Sequence, residues 1–274
     1  PYRINGRDWV FWRDKSGVFA APEACPHMGA SLAGAAVRDG ALICPWHGLA
    51  LGPEGHGKWC HGRVHDDGVL VWLQPESGDD ATERPFLPAR PDRCLDAVIR
   101  MEANCAPEDV IANRLDPWHG VHFHPYSFAS LAVTAVDDSV LRLRVGYRVL
   151  GPLSVEVDAT FHCPDPRTIV MTIVDGDGIG SVVETHATPI DDGRTAVIEA
   201  TLATSDRPGF ALPMRAVRWV RPFMRKAAAR LWVDDIDYAE RRYALRKGLA
   251  DSSVIPGFGP TPAADKTNGA GDTN

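Results

Sequence analysis

The sequence predicts an α+β protein in two parts, a small all-β unit at the N-terminal end and a larger antiparallel sheet closed by a long C-terminal helix. Three observations carry this. Short apolar runs separated by turn residues fill residues 1 to about 77. Alternation of period two, punctuated by Asp175-Gly176 and Asp192-Gly193, runs from about 131 to 205. From 210 to about 247 the spacing becomes helical, with Leu212, Ala216, Trp219, Phe223, Ala227 and Leu231 in step.

In the first part, strands are expected at Trp9–Trp12, Ala41–Ile43 and Val69–Leu73, with a turn at Asp14–Gly17. Residues 78–93 are rich in Pro and charge, lack periodicity, and read as a linker. The second unit is then 94–254, with strands at Val140–Val149, Ser154–Phe161, Thr168–Val174 and Thr195–Leu202. Such a meander buries one face. The Pro-, Gly- and Thr-rich stretch 255–274 reads as a disordered tail.

Composition narrows the classes. Of 274 residues, 45% are hydrophobic and 24% charged, as in ordinary soluble proteins. The net charge of −7 and the lack of a long basic run argue against a nucleic-acid partner. No run approaches the length of a membrane span. The start at Pro1, with Tyr2-Arg3-Ile4 already strand-like, leads us to expect a preceding piece. Six cysteines do not suggest a disulfide framework; Cys60, Cys94, Cys105 and Cys163 read as ordinary thiols, and the chain as cytoplasmic.

Two clusters of soft and borderline ligands carry the chemistry. Cys25-Pro-His27 and Cys44-Pro-Trp-His47 lie sixteen residues apart, and each offers one thiolate and one imidazole. Two thiolates on one iron and two imidazoles on the other make a Rieske [2Fe-2S] ligand set. A zinc site would more commonly pair like ligands at regular spacing. The second cluster, Asn113-Arg-Leu-Asp116-Pro-Trp-His119-Gly-Val-His122-Phe-His124, puts three His within six residues of one another. Far downstream, Asp234-Asp235-Ile-Asp237-Tyr-Ala-Glu240 is an acidic group with an apolar flank. Adjacent helical residues point about 100° apart, so only one of Asp234 and Asp235 can face a metal.

The stretch CPHMGASLAGAAVRDGALICPWHGLAL closely resembles a Rieske ferredoxin-like domain. The whole chain, in domain order, resembles the catalytic α subunits of Rieske non-haem iron oxygenases, nearer their monooxygenase and demethylase branch. Their N-x2-D-x2-H-x4-H pattern falls on Asn113, Asp116, His119 and His124. The resemblance implies an all-β Rieske domain, then a helix-grip, START-like catalytic domain. It implies a mononuclear Fe(II) held by His119, His124 and a helix carboxylate, for which Asp235 is chosen over Asp234. Asp116 matches the family's carboxylate bridging a cluster His to an iron His across a head-to-tail trimer; from its residues alone it reads as a cap for the helix starting at Pro117. Asn113 and Asp116 are expected to assist catalysis, His122 to stand behind or beside the metal, and Asp237 and Glu240 to face solvent. His186 reads either as a pocket residue or, more commonly for a strand His, as a hydrogen-bonded one. His56, His61 and His65 are expected to be exposed.

The implied activity is that of a terminal oxygenase component. A NAD(P)H-dependent reductase or ferredoxin would supply electrons, O2 would be activated at Fe(II), and a hydrophobic small molecule would be hydroxylated, demethylated or desaturated. No G-x-G-x-x-G loop is present, so hydride would have to be accepted by a partner. The alternative is an electron carrier joined to a lipid-binding domain without iron.

Overall fold

The computed structural model describes residues 1–74, 85–150 and 153–249. Part of the expected linker and the whole expected tail lie outside the described residues.

The N-terminal unit consists of three small antiparallel sheets: β1 (Tyr2–Ile4), β2 (Arg7–Arg13) and β3 (Val18–Pro22); β4 (Ala36–Arg38), β5 (Ala41–Ile43) and β6 (Ala50–Leu51); β7 (Arg63–Asp66) and β8 (Val71–Gln74). On β2 Val10 and Trp12, two residues apart, are buried and share the face turned to the core, while Trp9 is buried on the opposite face. Trp12 stacks on Phe19 and Trp59, and Leu32, Leu42 and Leu51 complete a core that includes both Cys25 and Cys44.

In the second unit β9 (Leu95–Ala103) leads into α1 (Pro107–Arg114) and α2 (Trp118–Phe123). Six strands follow: β10 (Phe128–Val136), β11 (Val140–Leu150), β12 (Leu153–Asp165), β13 (Thr168–Gly176), β14 (Val182–Asp191) and β15 (Arg194–Ala203). They form an antiparallel meander, which β9 joins beside β15. After the short α3 (Ala211–Arg215), the thirty-residue α4 (Val217–Arg246) packs on β9 and α1. Trp232, Ile236 and Ala239 of α4 are buried with Val110 and Val197, and Arg242 and Arg246 pair with the buried Asp109 of α1.

Two differences from the sequence reading stand out. The apolar spacing that revealed α4 does not mark its buried face: Trp219 and Phe223 are exposed, and the core side runs through Trp232, Ile236 and Ala239. Periodicity detects a helix but not which stripe a neighbour covers. In addition, Glu240 is not a solvent-facing acid: it is half-buried and accepts from the Asn104 backbone N–H at 2.6 Å, while Asp237 is exposed.

The two units are joined by backbone and by charge. The Asn5 and Gly6 N–H groups donate to Pro189 and Ile190 of β14 at 2.9 and 2.7 Å. Arg90, from the stretch read as a plain linker, donates to Glu184 of β14 at 2.7 Å and meets Asp67 of the first unit at 2.9 Å. His186 lies between Thr168 and Glu184, at 3.2 Å from each, with Trp72 edge-on at 4.9 Å. It is thus a hydrogen-bonded strand residue at the joint, outside the pocket described below.

Candidate metal centres

Both Cys/His boxes are loop tips closed by the same device. Cys25 N–H donates to Ala30 and its carbonyl accepts from Gly29; Cys44 N–H donates to Leu49 and its carbonyl accepts from Gly48. The glycine four residues after each Cys has a left-handed φ, +74° at Gly29 and +72° at Gly48, which L side chains adopt with strain. This curl buries the sulfurs, with Cys25 3% and Cys44 2% exposed, and leaves His27 and His47 at the surface. The two imidazoles lie edge to face with centroids 4.9 Å apart. Burial pushes the Cys25 thiol up, opposed by the His27 N–H. At Cys44 the N–H groups of Trp46 and His47 hold the thiol down. Backbone donors aimed at buried sulfur, with two imidazoles converging at the rim, suit a cluster with one thiolate-held and one imidazole-held iron.

The second site is assembled from α1, α2 and α4. His119 Nε2 lies 3.1 Å and His124 Nε2 2.8 Å from the same atom, Asp235 Oδ1. One ligand atom from each of the three residues falls within 4.8 Å of the others. His124 and Asp235 are each 2% exposed. Burial alone would raise the Asp235 carboxyl, but the bonds from His119 and His124 and the charge of Arg114 hold it well below the carboxylate range. A buried, ionised carboxylate with two imidazole nitrogens turned to it is the donor set of a two-His, one-carboxylate iron site. These residues therefore fit a mononuclear Fe(II).

Around them stand positioning contacts. The Asn113 amide donates to Asp235 Oδ1 at 3.2 Å. Behind His124, Nδ1 lies 3.4 Å from Asp234 Oδ2 and 3.3 Å from the Tyr126 hydroxyl, which itself donates to Asp234 at 2.9 Å. The two adjacent carboxylates thus take opposite sides of one imidazole, Asp235 on the metal side and Asp234 on the far side. Asp116 accepts from the Trp118 N–H at 3.0 Å, as a helix-entry residue does, and from the Tyr238 hydroxyl at 3.1 Å. Its Oδ2 also lies 3.7 Å from His119 Nδ1. Tyr126 and Tyr238 were not singled out in the sequence; their positions two residues after His124 and three after Asp235 were the available signals. The expectation for His122 does not hold: it is exposed and does not line the cavity beside the three ligands. His56 and His61 are exposed and His65 half-buried.

A cavity opens from this centre. Its volume is about 70 Å³. His119, His124 and Asp235 line its polar part together with Asn113, Arg114 and Asp116; Leu143, Val145, Tyr147, Phe161 and Met171, from β11 to β13, form an apolar wall. Alternation on β11 places Leu143, Val145 and Tyr147 on one face, and that face is the wall.

Comparison with known proteins agrees with this architecture. Residues 1–66 match the family model for the Rieske [2Fe-2S] domain, and residues 76–250 match the model described as a domain of unknown function, DUF5914. The vanillate O-demethylase oxygenase subunit of Pseudomonas sp. (strain HR199 / DSM 7063) is 55% identical over 47 residues, 17% of this chain and 13% of that protein. The oxygenase component of chloroacetanilide N-alkylformylase from Rhizorhabdus wittichii (strain DC-6 / KACC 16600) is 29% identical over 163 residues, 51% of this chain and 46% of that one. The chain thus matches less than half the length of either relative. Among solved structures, dicamba monooxygenase bound to dicamba superposes with a TM-score of 0.64 at 17% identity, covering 93% of this chain and 85% of that one. A match over most of the second unit, with a Rieske match ahead of it, settles the membership: the chain belongs to the DUF5914 family and joins that domain to an N-terminal Rieske [2Fe-2S] domain in the fold of the Rieske oxygenase α subunits.

Proposed function

We propose that the chain is a terminal oxygenase component in which the Rieske cluster at Cys25, His27, Cys44 and His47 delivers electrons to a mononuclear Fe(II) at His119, His124 and Asp235, for hydroxylation, demethylation or desaturation of a hydrophobic small molecule. The observation that carries the reading is the convergence of His119 Nε2 and His124 Nε2 on Asp235 Oδ1 at the end of an apolar-walled cavity. Bound there, Fe(II) would supply O2 activation.

The protein's own groups have separable tasks. His119, His124 and Asp235 would hold the metal from one side and leave the cavity side open. Asn113 fixes Asp235, and Asp234 with Tyr126 fixes the ring of His124. The apolar strand residues would exclude water from the reacting centre and favour an apolar substrate. Asp116 would carry the link between the two metal sites. His27 and His47 are exposed, flanked by Met28 and Trp46 at 64% and 61% exposure, and Trp118 beside Asp116 is 71% exposed. Such surfaces suit a head-to-tail trimer in which the cluster edge of one copy meets Asp116 of the next. With no dinucleotide loop in the sequence, the chain would depend on a ferredoxin or a NAD(P)H-dependent reductase. The free, exposed Cys60 and Cys163 fit a reducing, cytoplasmic setting.

Two measurements test this. Metal analysis should find the cluster irons and one further iron; cluster iron alone would favour the electron-carrier reading. With a reductase and a panel of apolar substrates, labelled O2 should be consumed in step with product. A fully metallated chain that consumes no O2 with any reductase or substrate would count against the proposal.

A further inference from the structure

The outward stripe of α4 has no role in the site and no cover among the described residues. Leu212 on α3 is 69% exposed, and Trp219 and Phe223 on α4 are 65% and 75% exposed. Trp219, Phe223 and Lys226 share one helical face, at i, i+4 and i+7. It is the face opposite the buried Trp232, Ile236 and Ala239. Three large apolar side chains this exposed on one short stretch are not the scattered singles of an ordinary surface.

Charge says what covers them. The chain as a whole carries −7, yet residues 210–230 contain five Arg and one Lys and no Asp or Glu. Arg221 pairs with Asp96, Arg218 lies over the Trp219 ring, and Arg230 lies over Tyr126. Among the described residues, Arg215, Arg225 and Lys226 are exposed and have no acidic partner, and Lys226 stands on the face of Trp219 and Phe223. The side chains stand out from a convex helix; they do not line a groove. Protein partners commonly seat their anchors in pockets, whereas Trp, Phe and Leu standing among free cations suit the headgroup layer of a bilayer.

We propose that α3 and the first half of α4 form a docking surface for an anionic lipid bilayer, with Leu212, Trp219 and Phe223 entering the interface and Arg215, Arg225 and Lys226 binding headgroup phosphates. The helix lies along the membrane plane and does not cross it; among the described residues no helix is long and apolar enough to do so. The surface is independent of whether the iron site turns over.

The test is sedimentation of the metallated full chain with vesicles of phosphatidylcholine alone and of phosphatidylcholine mixed with phosphatidylglycerol. The chain should co-sediment with the mixed vesicles, and added salt should weaken this. W219A combined with F223A should lower the partition coefficient on the order of tenfold or more while leaving the cluster's visible spectrum unchanged. R215Q, R225Q and K226Q together should remove the preference for the anionic vesicles. Failure to sediment with either vesicle, or sedimentation unaffected by both sets of substitutions, would overturn the proposal. A fall in oligomeric mass of W219A/F223A would also overturn it, by assigning the face to a second copy of the chain. So would salt-sensitive capture by an acidic ferredoxin in place of vesicles.

Discussion

Asp116 Oδ2 lies 3.7 Å from His119 Nδ1, beyond a direct hydrogen bond, and that imidazole nitrogen is buried with no other partner. The ring is therefore held on its Nε2 side by Asp235 and left open on its Nδ1 side toward Asp116. Asp116→Asn keeps an oxygen for the Trp118 N–H, so the helix entry survives. It loses the charge facing His119. The expected outcome is unchanged cluster absorbance and iron content, with cluster-to-iron electron transfer slowed by at least about 100-fold. Single-turnover reoxidation of the reduced cluster, followed by stopped-flow, checks this; a normal rate would remove Asp116 from the electron route.

The neighbouring carboxylates of α4 should separate cleanly. Asp235→Ala takes away the atom on which both Nε2 groups converge, and should abolish mononuclear iron binding while sparing the cluster. Asp234→Ala removes only the contact behind His124 and should weaken iron about 10–100-fold. Iron titration of the two apo variants distinguishes them, and equal losses would contradict opposite-side placement.

Gly48→Ala introduces a Cβ where nothing lies within 4 Å, so its whole cost is the left-handed φ. That strain is about 1–2 kcal/mol. It falls on the turn whose N–H groups face Cys44, and the variant should lose cluster on storage faster than the wild type, read as bleaching of the visible absorbance.

The Arg90 joint should be sensitive to acid. Burial alone would raise Glu184, but Arg90 and His186 more than offset it and hold its carboxyl below the ordinary 4.5. Asp67 is lowered too: burial opposes this, while the N–H of Leu70, the Trp72 indole and Arg90 favour it. A depressed carboxyl stabilises the fold above its unfolded pKa, and that stability disappears as pH falls through the folded value. Arg90→Ala leaves buried carboxylates unpaired and should cost about 3–5 kcal/mol near neutral pH. The gap to wild type should shrink on acidification below the usual carboxylate range, measured as Tm across a pH series.

Much of this was legible because it is local. The curled Cys boxes need Cys, His and a Gly at fixed offsets, and the strands of the meander announce themselves by alternation. His119 and His124 were readable through the resemblance, whose H-x4-H pattern they match. The joint at Arg90 was not, because its partners Asp67 and Glu184 are distant in sequence and a single Arg in a Pro-rich stretch carries no period. His122 misled because sharing a short helix with His119 does not bring its side chain to the carboxylate of α4.

The sequence by itself determined the ligand types, the order of the two units and the presence of a long C-terminal helix, since side-chain chemistry and periodicity are properties of short segments. The tertiary structure alone decided which way that helix faces. Packing against β9 and α1 turned Trp232, Asp235 and Ile236 inward and Trp219 and Phe223 outward. That one rotation brought Asp235 to two histidines more than a hundred residues away and put Asp234 behind one of them. It also left an apolar, cationic stripe uncovered, because burial is set by what lies across from a face and no local pattern encodes it.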